Sequence, residues 1–180
     1  MPTDCRSAPI GPPPPIGSFS LGPFFVDETG GLSPATPDRF PAFSVIWRGR
    51  MLHLRLARAP NEATAHGLLG VQAVLGRVPS TAGRDPAGAA ERRNDAFALL
   101  RGLLPVVPPG WEISLAADHS VRLSLDAALE LPTTASVLVT TVTSLFLELA
   151  PYFDVLDEGG IVALPRSASE AAGTANAWPG

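Results

Sequence analysis

The chain has 180 residues, 46% of them hydrophobic, with a formal net charge of −4, which fits one ordinary domain with a buried core. Its single cysteine, Cys5, excludes a disulfide framework and any site that needs paired thiolates. All 13 basic residues are arginine, which excludes lysine Schiff bases, pyridoxal-phosphate attachment and the lysine of a phosphate-binding P-loop.

Residues 1–42 are predicted to form a proline-rich extended arm. The run Pro12–Pro15 and the prolines that follow it disfavour a packed helix. The apolar patch "GSFSLGPFFV", which contains Phe24 and Phe25, is expected to dock on the core or on a partner. The opening residues lack a positive segment followed by an apolar run, and no uninterrupted apolar stretch of about 18 residues occurs. We therefore expect a cytoplasmic protein without membrane insertion.

The segment "FSVIWRGRMLHLRLA" predicts a β-hairpin with Arg48 and Gly49 as its two-residue loop. One face of this hairpin is almost wholly apolar, because the register pairs Trp47 with Arg50, Val45 with Leu52 and Phe43 with Leu54. His53 and Arg55 fall on the opposite face, towards solvent or a partner.

A helix from Glu62 to about Arg77 is predicted next, with Asn61 as its N-cap. Glu62 and His66 would then lie four residues apart on one helix face, a spacing that can hold a metal. No third ligand is placed by the sequence, so we prefer a simple side-chain contact. We therefore predict no metal site.

A second helix is predicted to start with Asp85 as N-cap and Pro86 at the first helical position. A second hairpin follows, and its pairs all lie on one face: Leu115 with Val121, Ile113 with Leu123, and Trp111 with Leu125. This register leaves Ala117, Asp118 and His119 as a three-residue loop.

Asp118 and His119 are interpreted as part of a turn and not as a catalytic pair. Adjacent side chains on a tight loop diverge, and no nucleophile motif such as G-x-S-x-G accompanies them. Aspartate favours turns because its side chain bonds local backbone N–H groups. We therefore assign no catalytic residues and no cofactor.

The last helix is predicted to begin at Pro132 to Thr134 and to stop at Gly159 and Gly160. Its apolar stripe comprises Leu138, Val142, Leu145, Phe146, Leu149, Phe153 and Leu156. The stripe is expected to pack on the sheet, and its excess width is compatible with a symmetric dimer interface.

These elements predict an α+β domain in which an antiparallel sheet from two hairpins packs against three helices. The predicted boundaries are a proline-rich N-terminal arm over 1–42, the domain over 43–158 and a flexible tail over 159–180.

Arginines 48, 50, 55 and 58 cluster near the first hairpin, beside Trp47, as in some RNA-binding surfaces. The acidic chain and a core position for Trp47 favour a charged, solvated sheet edge instead, so no nucleic-acid partner is expected. Residues 1–110 hold 11 arginines against 8 acids, and residues 111–180 hold 2 against 9. This asymmetry is compatible with self-association, with a charged protein partner, or with uneven sampling of a solvated surface.

The late hairpin "WEISLAADHSVRLSLDAALELP" and the closing helix "SVLVTTVTSLFLELAPYFDVLDE" resemble the small acidic chaperones of type III secretion and the related sensory-regulator fold. Those proteins share an antiparallel sheet packed against helices. The resemblance implies a homodimer that binds an extended segment of another protein, without catalysis.

The leading hypothesis is a non-enzymatic protein-binding module, acting as a chaperone or assembly adaptor through a strand edge or an apolar groove. Its candidate partner-binding residues are Phe24, Phe25, His53 and Arg55. A second hypothesis is a structural subunit anchored in a larger complex by its N-terminal arm. A third is a hydrolase or metal-dependent enzyme that uses Asp118 and His119.

Overall fold

The computed structural model describes residues 17–36, 39–58, 66–80, 86–161 and 163. Within these ranges the chain forms eight strands and two helices, and the strands make two antiparallel sheets. The strands are β1 (Phe19–Leu21), β2 (Phe24–Val26), β3 (Leu32–Pro34), β4 (Ala42–Trp47), β5 (Arg50–Arg58), β6 (His66–Arg77), β7 (Trp111–Leu115) and β8 (Ser120–Glu130). The helices are α1 (Pro86–Leu103) and α2 (Ala135–Glu158).

The larger sheet has the strand order β4-β5-β6-β8-β7 and carries the core on one face. Alternate side chains of β5, β6 and β8 are fully buried there, among them Leu52, Leu69 and Val121. Both helices contribute to the same cluster, α1 through Ala96 and α2 through Phe153. The opposite face of the sheet carries the polar and half-exposed residues.

The registers predicted for both hairpins are confirmed. Trp47 pairs with Arg50 and Phe43 with Leu54 across the first loop, where Arg48 and Gly49 have φ values of 49° and 75°. Positive φ at both loop residues is typical of the type I′ turn that suits twisted antiparallel strands. In the second hairpin the pairs Trp111–Leu125, Ile113–Leu123 and Leu115–Val121 form as predicted.

The predicted fold class is wrong in its element count. Among the described residues there are two helices and two antiparallel sheets, not three helices against one sheet. The main cause is the segment His66–Arg77, which was predicted as helix and forms β6. It pairs with β5 on one side and β8 on the other, so the first hairpin continues into a three-stranded meander.

Tertiary packing and glycine explain why β6 is a strand. Its odd-numbered residues from Leu69 to Leu75 are buried, and its even-numbered residues are less so, which is the period of a strand. Gly67 lies so close to its neighbours that an added Cβ would meet Leu131 Cδ1 at 2.7 Å. Because glycine costs about 1 kcal/mol in a helix interior relative to alanine, Gly67, Gly70 and Gly76 together oppose a helix.

Part of the predicted extended arm is folded. Strands β1, β2 and β3 form a small antiparallel sheet in the order β1-β2-β3, which corrects the extended-arm part of the predicted fold. The Leu32 N–H donates to Thr133 O and the Ala135 N–H donates to Gly30 O, both at 2.9 Å. These bonds fasten the small sheet to the start of α2. The boundaries at 42/43 and 158/159 stay predictions, and residues 164–180 of the predicted tail lie outside the described ranges.

Helix α2 begins and ends where the sequence predicted. The Thr134 side chain accepts a hydrogen bond from the Val137 N–H, and Gly159 forms the C-cap. By length and composition α2 alone among the described elements could also cross a membrane. Its stripe is nevertheless packed in the protein core, where Leu149, Phe153 and Leu156 are buried. A core helix satisfies the same length and composition criteria.

Candidate functional site

The outer edge of β4 is the starting point of the candidate site. No strand in the described ranges pairs with that edge. The Leu56 N–H donates to Pro41 O at 2.9 Å, which shows that these two residues form a hydrogen-bonded pair at the start of the β4–β5 ladder. Because hydrogen-bonded pairs alternate in an antiparallel ladder, the N–H and C=O groups of Ala42, Ser44 and Ile46 point away from β5. These groups can accept an additional strand.

A cavity of about 390 Å³ lies beside the first half of β4, and we call it the His53 cavity. Its volume falls within the usual range for binding pockets, about 300–1,000 Å³. Loop residues before β4, β4 itself and β5 supply the lining: Pro23, Thr36, Arg39, Phe40, Pro41, Ala42, Phe43, Ser44, His53 and Leu54. The cavity therefore adjoins the outward-facing backbone of the strand.

A cross-strand hydrogen bond organises the polar wall of the His53 cavity. The confirmed hairpin register places Ser44 opposite His53, and their Oγ and Nδ1 atoms lie 2.9 Å apart. When the Ser44 hydroxyl donates to Nδ1, the imidazole carries its proton on Nε2, which is then a donor for a ligand. Both residues lie on the sheet face opposite the helices.

Cationic and aromatic side chains form the rest of the cavity wall. The Arg55 guanidinium carbon lies 5.7 Å from the centre of the Phe40 ring, within the range of a cation–π contact. Arg39 lines the cavity, and the lining residues among those that the structure describes include no aspartate or glutamate. The wall thus combines an arginine, an imidazole and a hydroxyl with apolar surface.

The four residues predicted to bind a partner lie in different environments. His53 lines the cavity, and Arg55 lies over one of its walls. Phe24 is 4% exposed and packs edge-to-face on Phe43, with ring centres 6.1 Å apart, so it belongs to the core of this protein. Phe25 points to the other side of β2 and is partly buried.

The sequence patterns did not identify Arg39, Phe40 or Ser44 as residues of the site. Arg39 and Phe40 fall in the stretch predicted as an extended arm, and no local pattern connects them with β5. The position of Ser44 opposite His53 was, in contrast, contained in the predicted register, so that pair could have been found.

Asp118 and His119 form a turn in the structure. Asp118 Oδ1 accepts hydrogen bonds from the Ser120 N–H at 3.1 Å and the Ser120 hydroxyl at 2.6 Å. These bonds, the Ser120 hydroxyl bond first, lower the pKa of Asp118 below its usual value of 3.8. His119 has a φ of 65° and donates its backbone N–H to Ala116 O. The side chain of Asp118 therefore stabilises the loop by accepting these local hydrogen bonds.

The predicted Glu62–His66 contact depends on a helix that does not form. His66 is the first residue of β6, and Glu62 lies outside the described residues. Across the part of the chain that the structure describes, no group of three or more His, Cys, Asp or Glu side chains is arranged to hold a metal ion.

Comparison with known proteins adds no family to this geometry. Neither a protein-family model, nor a curated protein, nor a solved structure matched the chain.

Proposed function

We propose that the chain is a non-enzymatic protein-binding module of the cytoplasm, a chaperone or assembly adaptor that binds an extended segment of another protein along β4. The observation that carries the proposal is the outer edge of β4, which pairs with none of the described strands and adjoins the His53 cavity. In this mode of recognition, main-chain hydrogen bonds supply affinity and pockets for alternate side chains supply specificity.

The sequence of β4 supports its use as a docking edge. Natural proteins usually guard an edge strand with charge, proline or a bulge, because an open edge pairs with other chains. The six residues Ala42–Trp47 contain neither charge nor proline. The other edge of the large sheet, β7, is shorter and carries Glu112.

A homodimer is part of the proposal. The outer surface of α2 exposes apolar side chains, with Val139 at 62% and Leu147 at 69%. The helix has no charged residue before Glu148, which suits packing against a second copy. The resemblance to type III secretion chaperones, which are homodimers built on a helix-covered antiparallel sheet, supports the same arrangement.

The test uses a proline at an outward-facing N–H. Ile46→Pro removes one N–H from the free edge of β4 without removing a donor from the β4–β5 ladder. The matched controls are Ile46→Ala, which keeps the N–H, and Leu115→Pro, which places a proline at an outward-facing position of β7.

Tagged protein is used to capture a partner from the native host at moderate salt, and the affinity of the purified partner is then measured for each variant. We expect one stoichiometric partner, bound at least about tenfold more weakly by Ile46→Pro and normally by both controls. An unchanged affinity of Ile46→Pro, or protein that captures no partner, would contradict the proposal.

The alternative function, a structural subunit of a larger complex, is favoured by one observation. Phe19 and Leu21 in β1 are 60% and 49% exposed, at the edge of the small sheet. In this alternative they insert into a neighbouring subunit. Replacement of both by serine would then abolish assembly and leave binding along β4 intact.

A further inference from the structure

We propose that the partner segment along β4 carries apolar side chains at its inward-facing positions, where they extend the protein core between β4 and α2. This inference rests on the proposed function, because it names the chemistry of the segment that pairs with β4. It goes beyond strand pairing, since backbone hydrogen bonds alone do not select the side chains of the added strand.

The first support is the incomplete burial of the core at β4. The side chains of this strand that point towards the helices, Phe43, Val45 and Trp47, are only partly buried and pack against the core cluster. Their neighbours on β5 are fully buried, with Leu52 and Leu54 both 0% exposed. The apolar interior thus continues to the outer edge of the sheet, where the side chains of an added strand would cover it.

The second support is the course of α2 over the core side of β4. The N-terminal end of α2 is hydrogen-bonded to the small sheet, whose Phe24 packs on Phe43 near the start of β4. Further along the helix, Phe146 stacks on Trp47 at the end of β4, with ring centres 5.1 Å apart. The helix therefore follows the strand along its length and forms a second wall above its outer edge.

The third support is an apolar row on the wall that α2 provides. Val139, Val142 and Phe146 have i, i+3, i+7 spacing, so the helical period places all three on the side that meets β4. Val139 is 62% exposed, so an added side chain can contact it. We call the surface formed by Val45, Trp47, Val139, Val142 and Phe146 the apolar rim.

The apolar rim selects against a charged inward side chain. The structure describes every residue of β4 and α2, and neither β4 nor the part of α2 before Glu148 carries a charge. At the end of the rim, Arg48 already pairs with Asp154 at 2.7 Å. A charged side chain on the rim would lose its hydration without gaining a partner among these residues, whereas an apolar side chain would gain burial.

The experiment uses two synthetic peptides of identical composition, each with two isoleucines in a threonine strand. One threonine separates the isoleucines in the first peptide, so both lie on one face, whereas adjacent isoleucines in the second lie on opposite faces. Each peptide is titrated into the full chain and followed by NMR. We expect the same-face peptide to bind at least about tenfold more tightly, because only it can place both isoleucines on the apolar rim. Its isoleucine methyl groups should show nuclear Overhauser contacts with the rings of Trp47 and Phe146.

Matched substitutions on α2 locate the contact. Val139→Asp should lower the affinity for the same-face peptide at least about tenfold, because it places a carboxylate on the apolar rim. Val137→Asp is the control, since Val137 lies on the opposite flank of α2 and is also exposed, at 46%. Leu147→Asp changes the outer surface assigned to the homodimer. Neither of these two changes should alter the affinity for the peptide.

The outcomes separate this inference from the proposed function. Equal affinity for the two peptides, or no binding of either, would overturn apolar recognition, even if Ile46→Pro still abolishes partner binding. A loss at Val139→Asp no larger than that at Val137→Asp or Leu147→Asp would overturn it as well. Same-face selectivity that depends on Val139, together with a partner that is insensitive to Ile46→Pro, would instead sustain apolar recognition at the rim and overturn strand addition.

Discussion

Arg50 is a buried cation on the core face of β5, and its replacement tests how the sheet and α2 are held together. Its side chain is 1% exposed, and its Nη2 lies 2.5 Å from an oxygen of Asp157. Its Nε donates to Leu75 O at 2.5 Å, beside the bulge between Val74 and Gly76. The extra residue of a bulge has no partner in the ladder, so Arg50 supplies the donor that Leu75 O lacks.

The free energies follow from these contacts. Removing one partner of a fully buried ion pair costs about 3–5 kcal/mol. Because the Asp157 side chain is 47% exposed, we expect Asp157→Ala to lower the free energy of unfolding by about 2 kcal/mol. Arg50→Met leaves Leu75 O without its donor, at a cost of about 1–3 kcal/mol. The double variant leaves no buried cation, so its loss should be at least about 1 kcal/mol smaller than the sum of the single losses.

Urea unfolding followed by circular dichroism measures all three variants. Asp154→Ala is the control, because the Arg48–Asp154 pair has side chains 39% and 55% exposed and should contribute less than about 1 kcal/mol. Additivity of the single variants within about 0.5 kcal/mol would refute the coupling. An Asp157→Ala loss no larger than that of Asp154→Ala would refute the buried pair itself.

Two further predictions concern the second loop and the small sheet. The lowered pKa of Asp118 implies stability that is present above pH 3.8 and is lost as the pH falls through the folded-state pKa. Ser120→Ala should raise that pKa in a carboxyl NMR titration and leave the pKa of Asp27 lowered, and an unchanged pKa of Asp118 would contradict the cause given. Phe24→Ala should destabilise the protein by about 3–5 kcal/mol in urea, whereas Phe19→Ala should change its stability by less than about 0.5 kcal/mol. Equal losses would show that the small sheet does not pack as described.

The parts of the fold that local patterns determine were predictable. In both hairpins, strict alternation of apolar and polar residues fixes the face, and the loop length fixes the register. The helix predicted over His66–Arg77 was wrong because the apolar residues of this segment fit a helical period as well as the period of a strand. Its identity as a strand depends on β5 and β8, which are distant in the sequence.

The candidate site was predictable only in part, for the same reason. The outward positions of His53 and Arg55 follow from the hairpin register. Arg39 and Phe40 reach the cavity through a loop whose course no periodic pattern describes. The burial of Phe24 was also not visible in the sequence, because it depends on contact with Phe43. Deletion of residues 1–42 would therefore remove a part of the core together with the arm.

The two sides of the first hairpin differ in a way that favours the proposed strand addition at β4. On the core side, Trp47 stacks on Phe146 of α2 with ring centres 5.1 Å apart, which holds the strand firmly on the helix layer. At its outer edge, Ser44 and Ile46 point backbone groups away from β5 towards a side where no described strand lies, and Ser44 also lines the His53 cavity. A strand held rigidly on one side loses little conformational entropy when a second strand pairs with its free edge. Rigidity and an open edge together favour strand addition at β4 over the shorter, charged edge of β7.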